Sequence, residues 1–170
     1  MFSGRSRNLR TIGHNFARGD KVPGHNSVFI DGDTLYSYGY HFPLAKRLGG
    51  GVFVINSNPN TNTTCRHRSQ VMSGIQSYGY PFIVMCSDCD INNLHSDMKG
   101  FLEYNVDKLR RCRLPELYID DLKDQLDFYH KVCKRLDLTP IYPEYEEFIQ
   151  NLVQTDMKIK KKLIKYHMEA

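Results

Sequence analysis

The spacing of apolar residues changes character once along the chain. Up to about residue 93, short apolar runs and period-two alternation prevail; beyond it, apolar residues recur every three or four positions. The first pattern predicts half-buried strands and the second amphipathic helices. Val28-Phe29-Ile30 followed by Asp31-Gly32-Asp33 predicts a strand and a hairpin turn. Thr34–Leu44 alternates, with Tyr36, Tyr38, Tyr40 and Phe42 on one face and Leu35, Ser37, Gly39 and His41 on the other, more polar one. Such an aromatic ladder could stack bases, but the face is expected to be the buried one, and Pro43 to end regular pairing or put this part of the strand at an edge. Gly49-Gly50-Gly51 turns into a third strand, Val52–Ile55, and Tyr80–Cys86 reads as a fourth, buried strand.

The asparagine-rich loop Asn56–Asn62 precedes a predicted helix, with Thr63 or Thr64 as its N-cap and Gly79 as its C-cap. His67, Val71 and Ile75 share one face of it at four-residue spacing, which leans His67 towards the sheet. Further on, Ser96–Arg111 and a segment from Leu114-Pro115 to Leu136 read as amphipathic helices. Pro143 opens a last helix, with Glu144, Glu146 and Glu147 near its positive end and lysines near its negative end. The predicted class is α+β: a small, mainly antiparallel sheet with one packed helix, followed by a three-helix C-terminal part.

Residues 1–26 show no sustained period and read as a basic, extended arm. Residues 27–93 form the β-rich domain, and 94–170 a helical part expected to pack on the same core. In the arm, Gly13-His14-Asn15 and Gly24-His25-Asn26 read as two turns, because Gly and Asn tolerate left-handed backbone. The alternative makes His14 and His25 site residues.

Charge adds a partner class to this picture. The net charge of +4 is concentrated at the ends: Arg5, Arg7, Arg10, Arg18 and Lys21 near the start, and Lys158, Lys160, Lys161, Lys162 and Lys165 near the finish. Such clusters suit phosphate or nucleic acid. No apolar run approaches the roughly 18 residues of a membrane span, so no membrane partner is expected. MFSGRSRNLR lacks the apolar segment of a secretory leader, and five cysteines make an odd count, so a reducing, cytoplasmic compartment is expected.

The candidate chemistry gathers between 56 and 71. The first turn of a helix offers unpaired N–H groups and a positive dipole end to an anion. There Asn62, Thr63, Thr64, Arg66 and Arg68 are the candidate ligand-binding residues, with Arg5, Arg7, Arg10 and Arg18 as a nucleic-acid-binding arm. If the protein is an enzyme, His67 is the candidate acid or base of a metal-independent phosphodiesterase or nuclease, because imidazole titrates near neutrality. His41 is a candidate second histidine. No cofactor is expected. The alternative is zinc on Cys65, His67, Cys86 and Cys89, a two-plus-two set of acceptable ligands. Zinc deaminases pair a C-x-x-C with an upstream ligand, but the Glu that their proton transfer needs is missing here. No P-loop, dinucleotide fingerprint, H-E-x-x-H, serine-nucleophile elbow or nucleic-acid-binding signature is present.

Leu35-Tyr36-Ser37-Tyr38, Pro43-Leu44-Ala45, Val54-Ile55-Asn56 and Thr63-Thr64-Cys65-Arg66-His67 follow one another in an order that resembles a small domain family of phage and mobile-element proteins. That family has no assigned function and a "LYSY…IA…N…TT-x-x-H" layout. The resemblance covers about residues 26–78, and Arg68 stands where the family pattern has Gln. It implies a viral or mobile-element protein acting inside a host cell, with a site at Thr63, Thr64 and His67. Three functions are then open: an accessory protein that binds nucleic acid or a nucleotide-like anion, a His67-dependent phosphodiesterase, or an anti-defence inhibitor that binds a host protein through its helical half.

Overall fold

The computed structural model describes residues 8–20, 27–58, 61–113 and 115–169. The chain divides between Leu94 and His95 into two compact units. The fold is α+β, as the pattern predicts, with more elements than the periodicity alone resolves.

The first unit holds α1 (Leu9–Arg18), β1 (Val28–Asp31), β2 (Thr34–Ser37), β3 (Pro43–Gly49), β4 (Val52–Asn56), α2 (Asn62–Gln76) and β5 (Phe82–Cys86). The strands lie in the order of the chain. All neighbours are antiparallel except β4 and β5, which run parallel with α2 as their crossover. Leu35, Ala45 and Ile55 pair across β2, β3 and β4, and all three are fully buried. They belong to one core with Ile12 and Phe16 of α1 and Val71 and Ile75 of α2.

The arm expected over residues 1–26 is a helix where it is described. Asn8 caps α1 by accepting the Arg10 N–H at 3.0 Å, and Gly19 closes it in the left-handed region at φ 81°. Leu9, Ile12, Phe16 and Ala17 make its buried stripe. Gly13-His14-Asn15 is therefore not a turn but part of this helix. Its glycine is needed for close approach: a Cβ at Gly13 would overlap the Val71 carbonyl of α2, and one at Gly74 would overlap the Arg10 carbonyl of α1. The helices cross almost backbone to backbone. Residues 1–7 and 21–26, with Arg5, Arg7 and His25, lie outside the described residues.

The strand expected over Thr34–Leu44 is two strands. β2 stops at Ser37, Tyr38 takes a left-handed φ of 56°, and the chain returns as β3 from Pro43. Of the aromatic face, Phe42 packs against the core and the tyrosines do not belong to it. Leu35 and Ser37 point inward, Tyr36 is half-buried, and Tyr38 and Tyr40 are 56% and 66% exposed. Pairing decides this, because Leu35 sits in the buried row with Ala45.

In the second unit α3 (Leu94–Arg111) and α4 (Glu116–Arg135) follow the apolar periodicity. The predicted last helix is broken into α5 (Tyr145–Thr155) and α6 (Met157–Glu169), so the described residues of this part form four helices rather than three. Asp156 causes the break. Its carboxylate accepts the Lys158 and Ile159 N–H groups at the start of α6 and the Arg110 guanidinium of α3 at 2.6 Å. Lys162 donates to the Leu109 and Arg110 carbonyls at 2.8 and 2.9 Å, so one basic side chain near the C-terminus caps α3. Among the described residues no helix is long and apolar enough to cross a membrane.

Candidate functional site

The site forms where β4 hands over to α2. Asn56 ends β4 fully buried; its amide donates to the Pro43 carbonyl at 2.8 Å and its Oδ1 accepts the Asn58 N–H at 2.9 Å. Arg68 reaches back from α2 and donates to the carbonyls of Asn56 and Asn58 at 2.8 and 3.0 Å. Asn58 in turn donates to Asp88 at 2.7 Å, and the Ser57 N–H donates to the Cys86 carbonyl at 3.0 Å. The loop after β4 is thus tied to the loop after β5. A loop rich in asparagine is held here by side chain–backbone bonds rather than by packing.

The helix begins two or three residues earlier than the sequence suggests. Thr61 is the N-cap, accepting the Thr64 N–H at 3.3 Å, and its hydroxyl meets that of Thr64 at 3.1 Å. Thr64 is buried, while Asn62 and Thr63 are exposed on the first turn. The helix ends at Gln76, before Gly79, with Ser77 as its cap.

Arg66, His67 and Arg68 do not converge. Successive helical residues are turned by roughly 100°, so the three side chains fan around α2. Arg66 is exposed, Arg68 is half-buried against the loop carbonyls, and His67 is buried at 7% exposure. The His67 Nδ1 lies 3.0 Å from the Ser37 Oγ in a buried contact. The ring of Tyr38 stacks on the imidazole at 5.3 Å and 29°. The periodicity correctly turns His67 to the sheet; what it meets there is a serine and a tyrosine from the β2–β3 turn.

The other candidates are dispersed. His41 is exposed in the β2–β3 turn. His14 bonds Ser77 at 3.0 Å and touches the Tyr78 ring edge, at the far end of α2 from His67. Arg10 is exposed on α1, and Arg18 is exposed and ion-paired with Asp20 at 3.3 Å.

The zinc alternative does not assemble: among the described residues no three His, Cys, Asp or Glu side chains stand together as a metal site. Cys86 and Cys89 are both buried, and burial pushes the Cys89 thiol up to about 12.

Ser37 and Tyr38 belong to the site and were not among its predicted members. The signal was the period itself, since Ser37 stands two residues from Leu35 and so shares its face. No protein-family model, curated protein or solved structure matches this chain.

Proposed function

We propose that the protein binds a nucleic acid or another phosphate-bearing ligand at the start of α2. The observation that carries this reading is the β4–α2–β5 unit. The first turn of α2 lies beyond the carboxyl ends of two parallel strands, where α/β crossovers receive anions. Asn62, Thr63 and Arg66 are exposed on that end of the helix. Arg66 is the phosphate partner; Arg68 serves by holding the loop in one shape, which lowers the ordering cost of binding. Exposed Arg10 adds positive charge to the same unit. The resemblance of residues 26–78 adds a viral or mobile-element setting.

The acid–base alternative is less well supported. His67 is covered by Tyr38 and bonded to Ser37, so the imidazole is better placed to hold the Tyr38 ring than to exchange protons with a substrate. Fluorescence anisotropy of a labelled oligonucleotide across a salt series tests the binding reading. Affinity should fall steeply with salt, and Arg66→Ala should lower the salt slope by about one. Absence of salt-dependent binding to any polyanion would remove the proposal.

A further inference from the structure

Tyr38 is an unusual residue to find at a left-handed backbone position. That conformation is strained for a residue that carries a Cβ, and the turn does not need a large aromatic side chain to close. It is closed by a backbone bond from the Ser37 N–H to the Phe42 carbonyl at 3.0 Å, while the Tyr38 N–H donates at 2.8 Å to the Ser27 carbonyl beside β1. What the geometry achieves is an outward ring with a fixed support. One face of Tyr38 lies on the His67 imidazole, that imidazole is held by Ser37, and the side chain remains 56% exposed. Tyr40, two residues on, is 66% exposed, and its hydroxyl bonds the Asp31 carboxylate, whose charge pushes the phenol upward. Its ring is braced edge-on by Phe29 and Tyr36, each at 5.1 Å.

We infer that Tyr38 is a base-stacking platform and that the ligand is single-stranded nucleic acid. This deepens the phosphate-binding reading and rests on it. A ring supported from beneath and open above presents a flat apolar face to a nucleobase, as stacking platforms do. In a duplex the base faces are already stacked on one another, so the platform selects unpaired strands. His67 lies five residues after Asn62, about 7.5 Å along the helix axis. One strand can therefore lay phosphates against the first turn of α2 and Arg66 while a base covers Tyr38.

The test compares a short labelled single strand, its duplex and inorganic polyphosphate, each with wild-type protein, Tyr38→Phe and Tyr38→Gly. Tyr38→Gly removes the ring and also relieves the left-handed backbone, so it should melt close to wild type. The single strand should bind about tenfold tighter than the duplex. Tyr38→Gly should weaken it about fivefold or more and leave polyphosphate unchanged, while Tyr38→Phe stays within about twofold. The inference is overturned if duplex and single strand bind equally, or if Tyr38→Gly binds the single strand as wild type does. In that case salt-dependent binding of duplex and polyphosphate would leave the anion site standing. If no polyanion binds, both fall.

Discussion

The two units bury polar groups in different ways. Among the described residues, Ser27, Ser37, Asn56, Thr64 and His67 are buried in the sheet unit, and Asn105 and the hydroxyl-bearing Tyr129 in the helical unit. Asn105 donates to the Phe101 carbonyl of its own helix at 2.9 Å, a local bond that fixes nothing else. Ser37 and His67 instead join a strand end to a helix thirty residues on, and Asn56 joins β4 to Pro43 of β3. Burying polar groups costs free energy unless they are paired. The sheet unit meets that cost in holding two loops and one imidazole around the start of α2; the helical unit adds to its periodic apolar contacts a tie through the Tyr129 hydroxyl, which meets the His95 ring at 2.7 Å and accepts the Ile141 N–H at 2.9 Å. Where a fold accepts such a cost, a site is the natural reason.

Glycines provide the sharpest test of this difference. Gly13→Ala or Gly74→Ala puts a Cβ against facing backbone that cannot yield. Each should destabilise by about 3 kcal/mol, the upper end of the overpacking range, read as a lower urea midpoint. Gly100 of α3 has open space where a Cβ would go. Gly100→Ala should instead stabilise by about 0.5–1 kcal/mol. Equal effects in the two units would break the comparison.

Ser37→Ala leaves the buried His67 Nδ1 without its serine partner. It should cost about 2 kcal/mol and loosen the Tyr38 stack, visible as a changed imidazole resonance in NMR.

Alkaline pH acts on both units at once. Burial raises Cys89 from 9.0, and Tyr129 of α4 from 10.0, to about 12. The unfolded chain releases these protons first, so stability present below pH 9 should decline between pH 9 and 12. A melting temperature that rises over that interval would contradict the burial of both groups.

The smallest expected effect concerns acid. The hydrogen bond from Arg110 holds Asp156 below its ordinary value of 3.8. The stability this contributes is present above that value and is lost as pH falls through the lower folded-state one. Arg110→Ala should therefore move the onset of acid unfolding to higher pH, and should weaken the α5–α6 corner without affecting ligand binding in the sheet unit.

Much of this architecture is legible in the chain because period and burial agree. In α4, Ile119, Leu122, Leu126, Tyr129 and Cys133 recur at helical spacing, and all are buried. The inward turn of His67 follows equally from its register with Val71 and Ile75. The aromatic alternation over residues 36–42 misleads, because hydrophobicity says that a face is apolar but not which partner claims it. The buried row Leu35–Ala45–Ile55 is created by pairing between strands, and pairing is a property of three segments at once.

The letters of the chain determine the α+β class, the transition near residue 93, the helix that carries His67 and the loop before it, since each is encoded by local periodicity or turn chemistry. Tertiary structure alone decides that α1 exists as a helix against α2, that Arg68 turns to loop carbonyls while Arg66 faces solvent, and that Ser37 and Tyr38 complete the site. These outcomes depend on backbone approach and hydrogen bonding between segments distant in sequence. For α1 with α2, and for His67 with Ser37 and Tyr38, no local window of the chain contains both partners.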